Sequence, residues 1–534
     1  MATVQPQTPE PSVAPKGTAA GLATVFLAYF IYMYFIQIML SAMPKIAADL
    51  NGMHLYSWGV SIPNLGLAFS MLLVGKLSDL YGRRALLLVC LAVCLVGTIW
   101  SALSSTFVML IVARTFLSIG QGGLAPLCFS VLGDMFEPIQ RSKWVGLLNI
   151  PAGAFAMVGP TLGGWFVEEL SWRYIFWCIA PFLIACLIMV SFSFSGRTRP
   201  AASRIDTRGA LLAAVASSTM ILGFSMAGTM YPWSSVQVIG LLAVSIVFWV
   251  LFVMAEARAE EPLLDLEVLK NRSFITIAAA CLLSCFGMVG LMIYYPLLMQ
   301  GVQGITATVT GELMTPGNVI MNFLGVAAGF AVARTRRCKW MFVLGYGLTL
   351  IIMIVAVFFN ATTPKWATFV AFTLAGIGMG AIPTLNTLVT QYAVPKRLLG
   401  VAMGALYFSV MIGQALTPAI LGSAMTMRYN STLKASLPVE VSGLADQATM
   451  TSLGNPRVLL NDSAMASLKQ TLGKTGPNGQ LVVDKTVSAI HQSMEAGLRI
   501  IFVFGAVAML LTFLVICTIP EISMDAPAED KKPS

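Results

Sequence analysis

Fourteen stretches of this chain are apolar for long enough to cross the hydrocarbon core of a bilayer, which takes about 20 residues of helix. They lie near 23–43, 58–76, 85–103, 107–131, 144–166, 174–193, 209–227, 235–255, 275–298, 309–332, 340–359, 366–391, 400–426 and 497–519. Polar residues fall in short loops between them, apart from a tail over residues 1–19 and one long segment, 428–496, rich in Ser, Thr, Asn and Gly. In lipid every backbone polar group must be satisfied within the protein, so runs of this length are helical. The pattern predicts an all-α integral membrane protein of fourteen spans, arranged as six, a middle pair, and six more. The expected divisions are a tail at 1–20, a six-helix bundle at 21–195, and a central pair with flanking loops at 196–272. A second six-helix bundle at 273–519 includes the long loop, and a tail follows at 520–534. Within the long loop, 456–472 and 483–496 carry the periodicity of short amphipathic helices.

Charge orients this array. Arg83, Arg84, Arg141, Lys143, Arg197, Arg199, Arg204, Arg208, Lys270, Arg272, Arg334, Arg336, Arg337, Lys339, Lys396 and Arg397 fall on one side, against Lys45, Arg173 and Lys365 in the short loops of the other. By the positive-inside rule the first side is cytoplasmic, and so are both termini. The expected location is therefore the cytoplasmic (inner) membrane. Composition agrees: 57% of residues are hydrophobic and 10% charged, where soluble domains carry about 25% charged residues. The net charge of +9 is a property of the basic loops, which removes the reason to invoke nucleic acid. None of the nine cysteines lies in the long polar segment, so no disulfide framework braces it. Cys281 and Cys285 share a helix face with no His nearby, which reads as packing and not as a metal site. The tail at 1–19 has no basic region ahead of a small-residue cleavage site, so it reads as a cytoplasmic tail. His54 and His491 fall in outer loops, no carboxylate pair recurs at catalytic spacing, and no phosphate-binding loop is present. An enzyme, a cofactor and ATP as the energy source are all unexpected.

Four motifs carry candidate chemistry. The hairpin GKLSDLYGRR (75–84) sits between two spans. Gly75 and Gly82 allow close backbone approach and a tight turn, Asp79 lies at a helix end, and Arg83 and Arg84 open the next run. Asp79 can accept hydrogen bonds from helix-terminal amides and pair with Arg141 or Lys143 in the next loop on that side. Such a cluster would latch the helix ends in one conformation and part in another; the plainer alternative is that Arg83 and Arg84 only set topology. GFAVARTRRCK (329–339) stands where a repeat of the hairpin should fall, keeping the arginines without the Asp. The fifth span carries GAFAMVGPTLGG, with Gly153, Gly159, Pro160, Gly163 and Gly164, suited to a close helix seam with a kink. Arg114, inside the fourth span, costs about 2.5–3.5 kcal/mol to insert near the membrane centre, so it should face a partner or a polar cavity unless it reaches the surface. Glu312, near the outer end of the tenth span, and Asp134, at the cytoplasmic end of the fourth, complete the set able to exchange a proton. Tyr34, Phe35, Gln37, Gln121, Asn149, Asn318, Asn322, Asn386 and Gln414 are polar or aromatic groups within spans and are candidates to line a substrate cavity.

The 75–84 hairpin resembles the loop signature of the major facilitator superfamily, and 153–164 resembles its antiporter motif, with Phe155 where the pattern has another Gly. PKIAADL (44–50), SWRYIFW (171–177), Tyr231-Pro232-Trp233, EPLLDLEVLKNRSF (261–274), YYPLLMQGVQG (294–304) and GIGMGAIP (376–383) extend the likeness over nearly the whole chain. Together they resemble the fourteen-helix drug:proton antiporter family. The resemblance implies export of amphiphilic small molecules by alternating access, coupled to protons, with Arg114 similar to the family's Arg implicated in proton transfer. It also implies a monomer, with a periplasmic adaptor as the alternative. Phe35 occupies the place where these exporters usually carry an Asp, so neutral, zwitterionic or anionic cargo fits better than polycations. Rival expectations are an exporter or facilitator of a dedicated metabolite, lipid or siderophore, and the inner-membrane subunit of a multi-protein envelope pump.

Overall fold

The computed structural model describes residues 14–15, 18–52, 55–195, 207–227, 231–256, 266–437 and 479–519. Its helices, in chain order, begin with α1 (Thr18–Asp49), α2 (Tyr56–Tyr81), α3 (Arg83–Ala102), α4 (Phe107–Met135), α5 (Pro138–Leu147), α6 (Asn149–Trp165) and α7 (Arg173–Ser193). Next come α8 (Thr207–Met226), α9 (Val236–Glu256), α10 (Leu266–Lys270), α11 (Arg272–Val289) and α12 (Tyr295–Gly301). The last are α13 (Ala307–Thr335), α14 (Lys339–Val357), α15 (Lys365–Gly380), α16 (Ile382–Ala393), α17 (Leu399–Ser436) and α18 (Gly479–Cys517). Two short strands, β1 (Ala14–Pro15) and β2 (Phe194–Ser195), pair antiparallel beside the end of α7.

Local chemistry sets the breaks. Gly82 is the one residue between α2 and α3; its φ of 87° is open to glycine, and its N–H donates to the Ser78 carbonyl at 3.1 Å. Thr106 and Asn271 cap α4 and α11 by accepting from the Met109 and Phe274 amides. Pro296 has no N–H for the carbonyl four residues back, and a π-helical turn, Gly290–Tyr294, joins α11 to α12 just before it.

Twelve helical runs among the described residues are long and apolar enough to cross a membrane, and α5 with α6, and α8, stand where the fifth and seventh expected spans fall. The fifth expected span is divided at Leu148 into α5 and α6. There Pro151 cannot donate to Leu147, and the Asn149 side chain donates to the carbonyls of Val145 (3.3 Å) and Gly146 (2.9 Å). The seventh expected span is α8, 20 residues long. The outer segment expected as a loop at 428–496 is also corrected. Residues 428–436 continue α17, and 479–496, including His491, form the first turns of α18. The helix expected at 483–496 is thus part of a longer one, while 456–472 lies outside the described residues.

Packing sorts the helices into groups. α2 and α3 flank α4, α3 also meets α7, and α1 lies on α6 and α7. In the other group α14 meets α15 and α18, α13 meets α15, and α11, α17 and α18 meet one another. The middle pair α8 and α9 is tied by a Ser245 hydroxyl to the Ala216 carbonyl (2.8 Å), and α8 rests on both α2 and α17. Trp233, beside the pair, donates to the Ser423 hydroxyl of α17.

Candidate functional site

The two groups meet along two crossings toward the end of the bundle that carries Arg83, Arg84 and Arg334, the basic end. At the first, α2 lies on α17 through glycines. A Cβ on Gly75 would stand 2.5 Å from the Gly400 carbonyl oxygen, and one on Gly404 would stand 2.6 Å from that of Met71. This approach brings the Asp79 carboxylate to the amino end of α17, where it accepts from the amides of Gly400 (3.1 Å) and Val401 (2.8 Å). Those amides have no partner within their own helix, and the helix dipole favours a negative charge there. Arg83 pairs with Asp79 one turn away, donates its Nε to Asp134 at 3.1 Å, and also donates to the Ser78 hydroxyl. The three charged side chains are almost wholly shielded, with 3–7% of their surface exposed.

The expected partner of Asp79 is therefore corrected. Arg141 turns instead to the carbonyls of Gly133 (2.5 Å) and Phe136 (3.2 Å), with its guanidinium 5.7 Å from the ring centre of Tyr392 on α16. Lys143 points to the exterior. A short α5 places Arg141 only one turn beyond the carboxyl end of α4, nearer those bare carbonyls than Asp79. Arg84 donates to the Ser191 carbonyl of α7 at 2.8 Å.

At the second crossing α5 lies on α13. A Cβ on Gly146 would stand 3.0 Å from the Gly325 carbonyl oxygen and 3.1 Å from the Gly329 Cα. Asn149 donates to the Thr384 hydroxyl at 2.9 Å, and the Gln391 amide donates to the Phe129 carbonyl at 2.8 Å. The Phe129 ring stacks on Tyr407 of α17, centroids 5.5 Å apart and planes within 15°. Together the crossings close the basic end between the groups.

The glycines of 153–164 divide by environment. A Cβ on Gly159 would stand 2.8 Å from Gln37 Cβ of α1, and one on Gly153 would stand 2.9 Å from the Phe323 ring of α13. Gly163 is buried, whereas Gly164 faces open space. Pro160 lies within α6, and its side chain is outside the described set.

The cavity candidates fall into two classes. Tyr34 donates to the Ile175 carbonyl at 2.6 Å, with Phe35 edge-on to it at 5.6 Å and 3% exposed. Gln121 donates to the Tyr32 carbonyl (3.2 Å) and Asn386 to the Cys281 sulfur (3.1 Å), both buried. Gln37, Asn149, Asn318 and Asn322 are partly open, and Gln414 is exposed. The ionisable candidates do not form one cluster. Arg114 ties α4 to the far ends of α1 and α2, its Nη1 standing 3.1 Å from the Gly59 carbonyl and 3.0 Å from the Met43 sulfur. Asp134 is twenty residues further along α4, about 30 Å away. Glu312 is exposed in the second turn of α13. The sequence pattern singled out Asn386 on α16 but not Tyr29, Tyr32, Phe129 or Tyr407. The spacing of Tyr29 and Tyr32, one helical turn apart in an apolar run, was the available signal.

Comparison with known proteins supplies a wider frame. The profile of the family described as Major Facilitator Superfamily matches residues 25–418. The chain is 29% identical over 431 residues to the multidrug transporter protein MdtP of Bacillus subtilis, covering 79% of each chain. It is 25% identical over 498 residues to multidrug resistance protein 3 of the same organism, covering 93% of this chain and 94% of that one. Among solved structures, the human organic anion transporter MFSD10 superposes with a TM-score of 0.57 at 15% identity, covering 96% of this chain and all of that one.

Proposed function

Because the chain belongs to the Major Facilitator Superfamily, we propose that it is a secondary exporter of amphiphilic small molecules, working by alternating access and exchanging protons for cargo. The observation that carries this reading is the pair of crossings at the basic end. Under the positive-inside rule that end is cytoplasmic, so the described conformation is closed to the cytoplasm. Export requires the two helix groups, within 21–195 and 273–519, to part there and close at the far end. Asp79, Arg83 and Asp134 form the latch: a carboxylate on α2 holds the amino end of α17 and releases it when the groups rock apart. Gly75, Gly82, Arg84 and Arg141 shape the same corner. Gly153 and Gly159 set the seam of α6 with α13 and α1. In the middle pair, α8 rests on both α2 and α17. The protein resides in the cytoplasmic membrane with both termini inside, as a monomer.

Glu312 is the proposed proton carrier. It is an exposed carboxylate in the second turn of α13, at the end of that helix away from Arg334. Arg114 ties α4 to α1 and α2 through Met43 and Gly59. The relatives named as multidrug proteins support a broad amphiphilic cargo. Reconstituted protein decides the matter: a substrate added to proteoliposomes should release protons, and Glu312→Gln should abolish release while sparing binding. Transport at the full rate with no pH change, in wild type and variant alike, would point to a facilitator and sink the coupled mechanism.

A further inference from the structure

We propose that the middle pair, α8 and α9, is a moving seal that closes one side of the protein to the bilayer, so that its interior meets lipid only along the α6–α13 side. The inference rests on the alternating-access reading above and adds to it a function for the pair. Two helix groups that rock against each other present two seams to lipid. One runs between α2 and α17, the other where α13 meets α5 and α6. The pair stands at the first: α8 rests on both α2 and α17. Its 20 residues make a rod about 30 Å long, the thickness of the hydrocarbon core.

Side-chain ties anchor the pair to α17 at two depths. Trp233 donates to the Ser423 hydroxyl and meets Phe224 of α8 edge-on at 5.8 Å. Trp249 of α9 lies against Phe408, ring centres 6.1 Å apart. Phe408 is one turn beyond Gly404, the residue packed on Met71 of α2, so the pair takes over the seam where the glycine crossing ends. Ser423 is fifteen residues further along α17, about 22 Å. Anchors so far apart make the pair travel with α17 while α2 moves beneath α8. A helix with its side chains is about 10 Å across, wide enough to keep the seam covered as α2 and α17 separate. α9 is the outer layer: Ser245 holds it to α8, it is the least buried of the twelve spans, and its Val236, Ile246 and Val253 are exposed.

The second seam has no such outer layer among the described residues. There α13 meets α5 and α6 of the opposite group, and its other main neighbours, α12, α15 and α16, belong to its own. Contact is close at Gly153, where a Cβ would stand 2.9 Å from the Phe323 ring. One turn further along α6, Met157 is 49% exposed, and Val158 beside it is exposed as well. After α9, α13 is the least buried of the twelve spans. With one seam sealed and the other bare, an amphiphile dissolved in the bilayer reaches the interior from the α6–α13 side alone.

Fluorescence quenching tests this in the full-length protein, in bilayers whose phospholipids carry a nitroxide on the acyl chain. A nitrobenzoxadiazole label is placed at Met157→Cys of α6 or at Met411→Cys of α17, in a background lacking the exposed Cys178 and Cys517. Met411 is half-buried, two turns beyond Gly404 and one beyond Phe408 on the same helix face, beneath the pair. The quenching constant should be at least about tenfold larger at 157 than at 411, because lipid reaches 411 only when the pair lifts away. Asp79→Asn, which favours the open basic end, should leave 411 protected. Trp249→Ala removes the ring over Phe408 and should raise quenching at 411 about threefold or more. If that variant does not fold, the contrast between 157 and 411, with and without Asp79→Asn, decides by itself. The proposal is overturned if lipid quenches 411 as strongly as 157 in either background, or if folded Trp249→Ala leaves 411 unchanged. Failure of the exporter reading looks different: the same quenching pattern in a protein that moves no cargo in sealed vesicles.

Discussion

Asp79 illustrates how one side chain can bias a conformational equilibrium. Its carboxylate accepts two amide hydrogen bonds from α17 and pairs with Arg83, all within the closed basic end. Buried ion pairs return little net stability because desolvation offsets attraction, but losing one partner leaves the other poorly matched. Asp79→Asn keeps the size and removes the charge, and should cost the closed arrangement about 1.5–3 kcal/mol, the worth of a charge-assisted hydrogen bond. That shifts the balance toward the open basic end by roughly ten- to a hundredfold. Spin labels at the exposed Tyr81 and Arg397 should report a longer distance in the variant by pulsed electron resonance. An unchanged distance would rule out a latch. The sequence made the type of residue legible, since an Asp between two spans serves no topological purpose. The partner was not legible, because Gly400 is 321 residues away along the chain and a backbone amide leaves no mark in a side-chain pattern.

At the scale of an element, helix crossings are set by the absence of side chains. Gly75→Ala would place a methyl group 2.5 Å from the Gly400 carbonyl oxygen, whereas Gly164→Ala would fill open space. Both changes swap the same atoms in a helix, so propensity favours each slightly and only the neighbours differ. We expect Gly75→Ala to lower the transport rate at least about tenfold, because separating two backbones at a packed crossing costs on the order of 1–3 kcal/mol. Gly164→Ala should match wild type in the same vesicle assay, and equal rates for the two would show that the α2–α17 crossing does not matter. The middle pair offers a milder case. Trp233→Phe removes the hydrogen bond to Ser423, and should lower stability by about 1 kcal/mol, read as a lower melting temperature with transport retained. Helix existence was visible in apolar periodicity at nearly every span. The division at Leu148 was not, since Pro151 and Asn149 act through backbone geometry that a hydropathy window averages away.

For the molecule as a whole, alternating access requires that the groups separate at the basic end in every cycle. Asn149 and Thr384 hydrogen-bond across that boundary at 2.9 Å, so a short bifunctional methanethiosulfonate can link cysteines at the two positions. In a background lacking the exposed Cys178 and Cys517, linking Asn149→Cys to Thr384→Cys should stop transport, and reduction should restore it. Full activity in the crosslinked protein would exclude a rocking cycle. The sequence alone determined that the chain is helical and membrane-embedded, which side is basic, and where the charged hairpin of 75–84 and the glycine-rich stretch of 153–164 lie. These follow from local quantities: hydropathy over a span, charge in a loop, and the small set of residues that tolerate close approach. Tertiary structure alone decided that Asp79 meets α17, that Arg141 does not meet Asp79, and that Phe129 stacks on Tyr407 between the two groups. Each is a contact between residues far apart in the chain, fixed by how whole helices pack, and packing is a property that no stretch of sequence carries by itself.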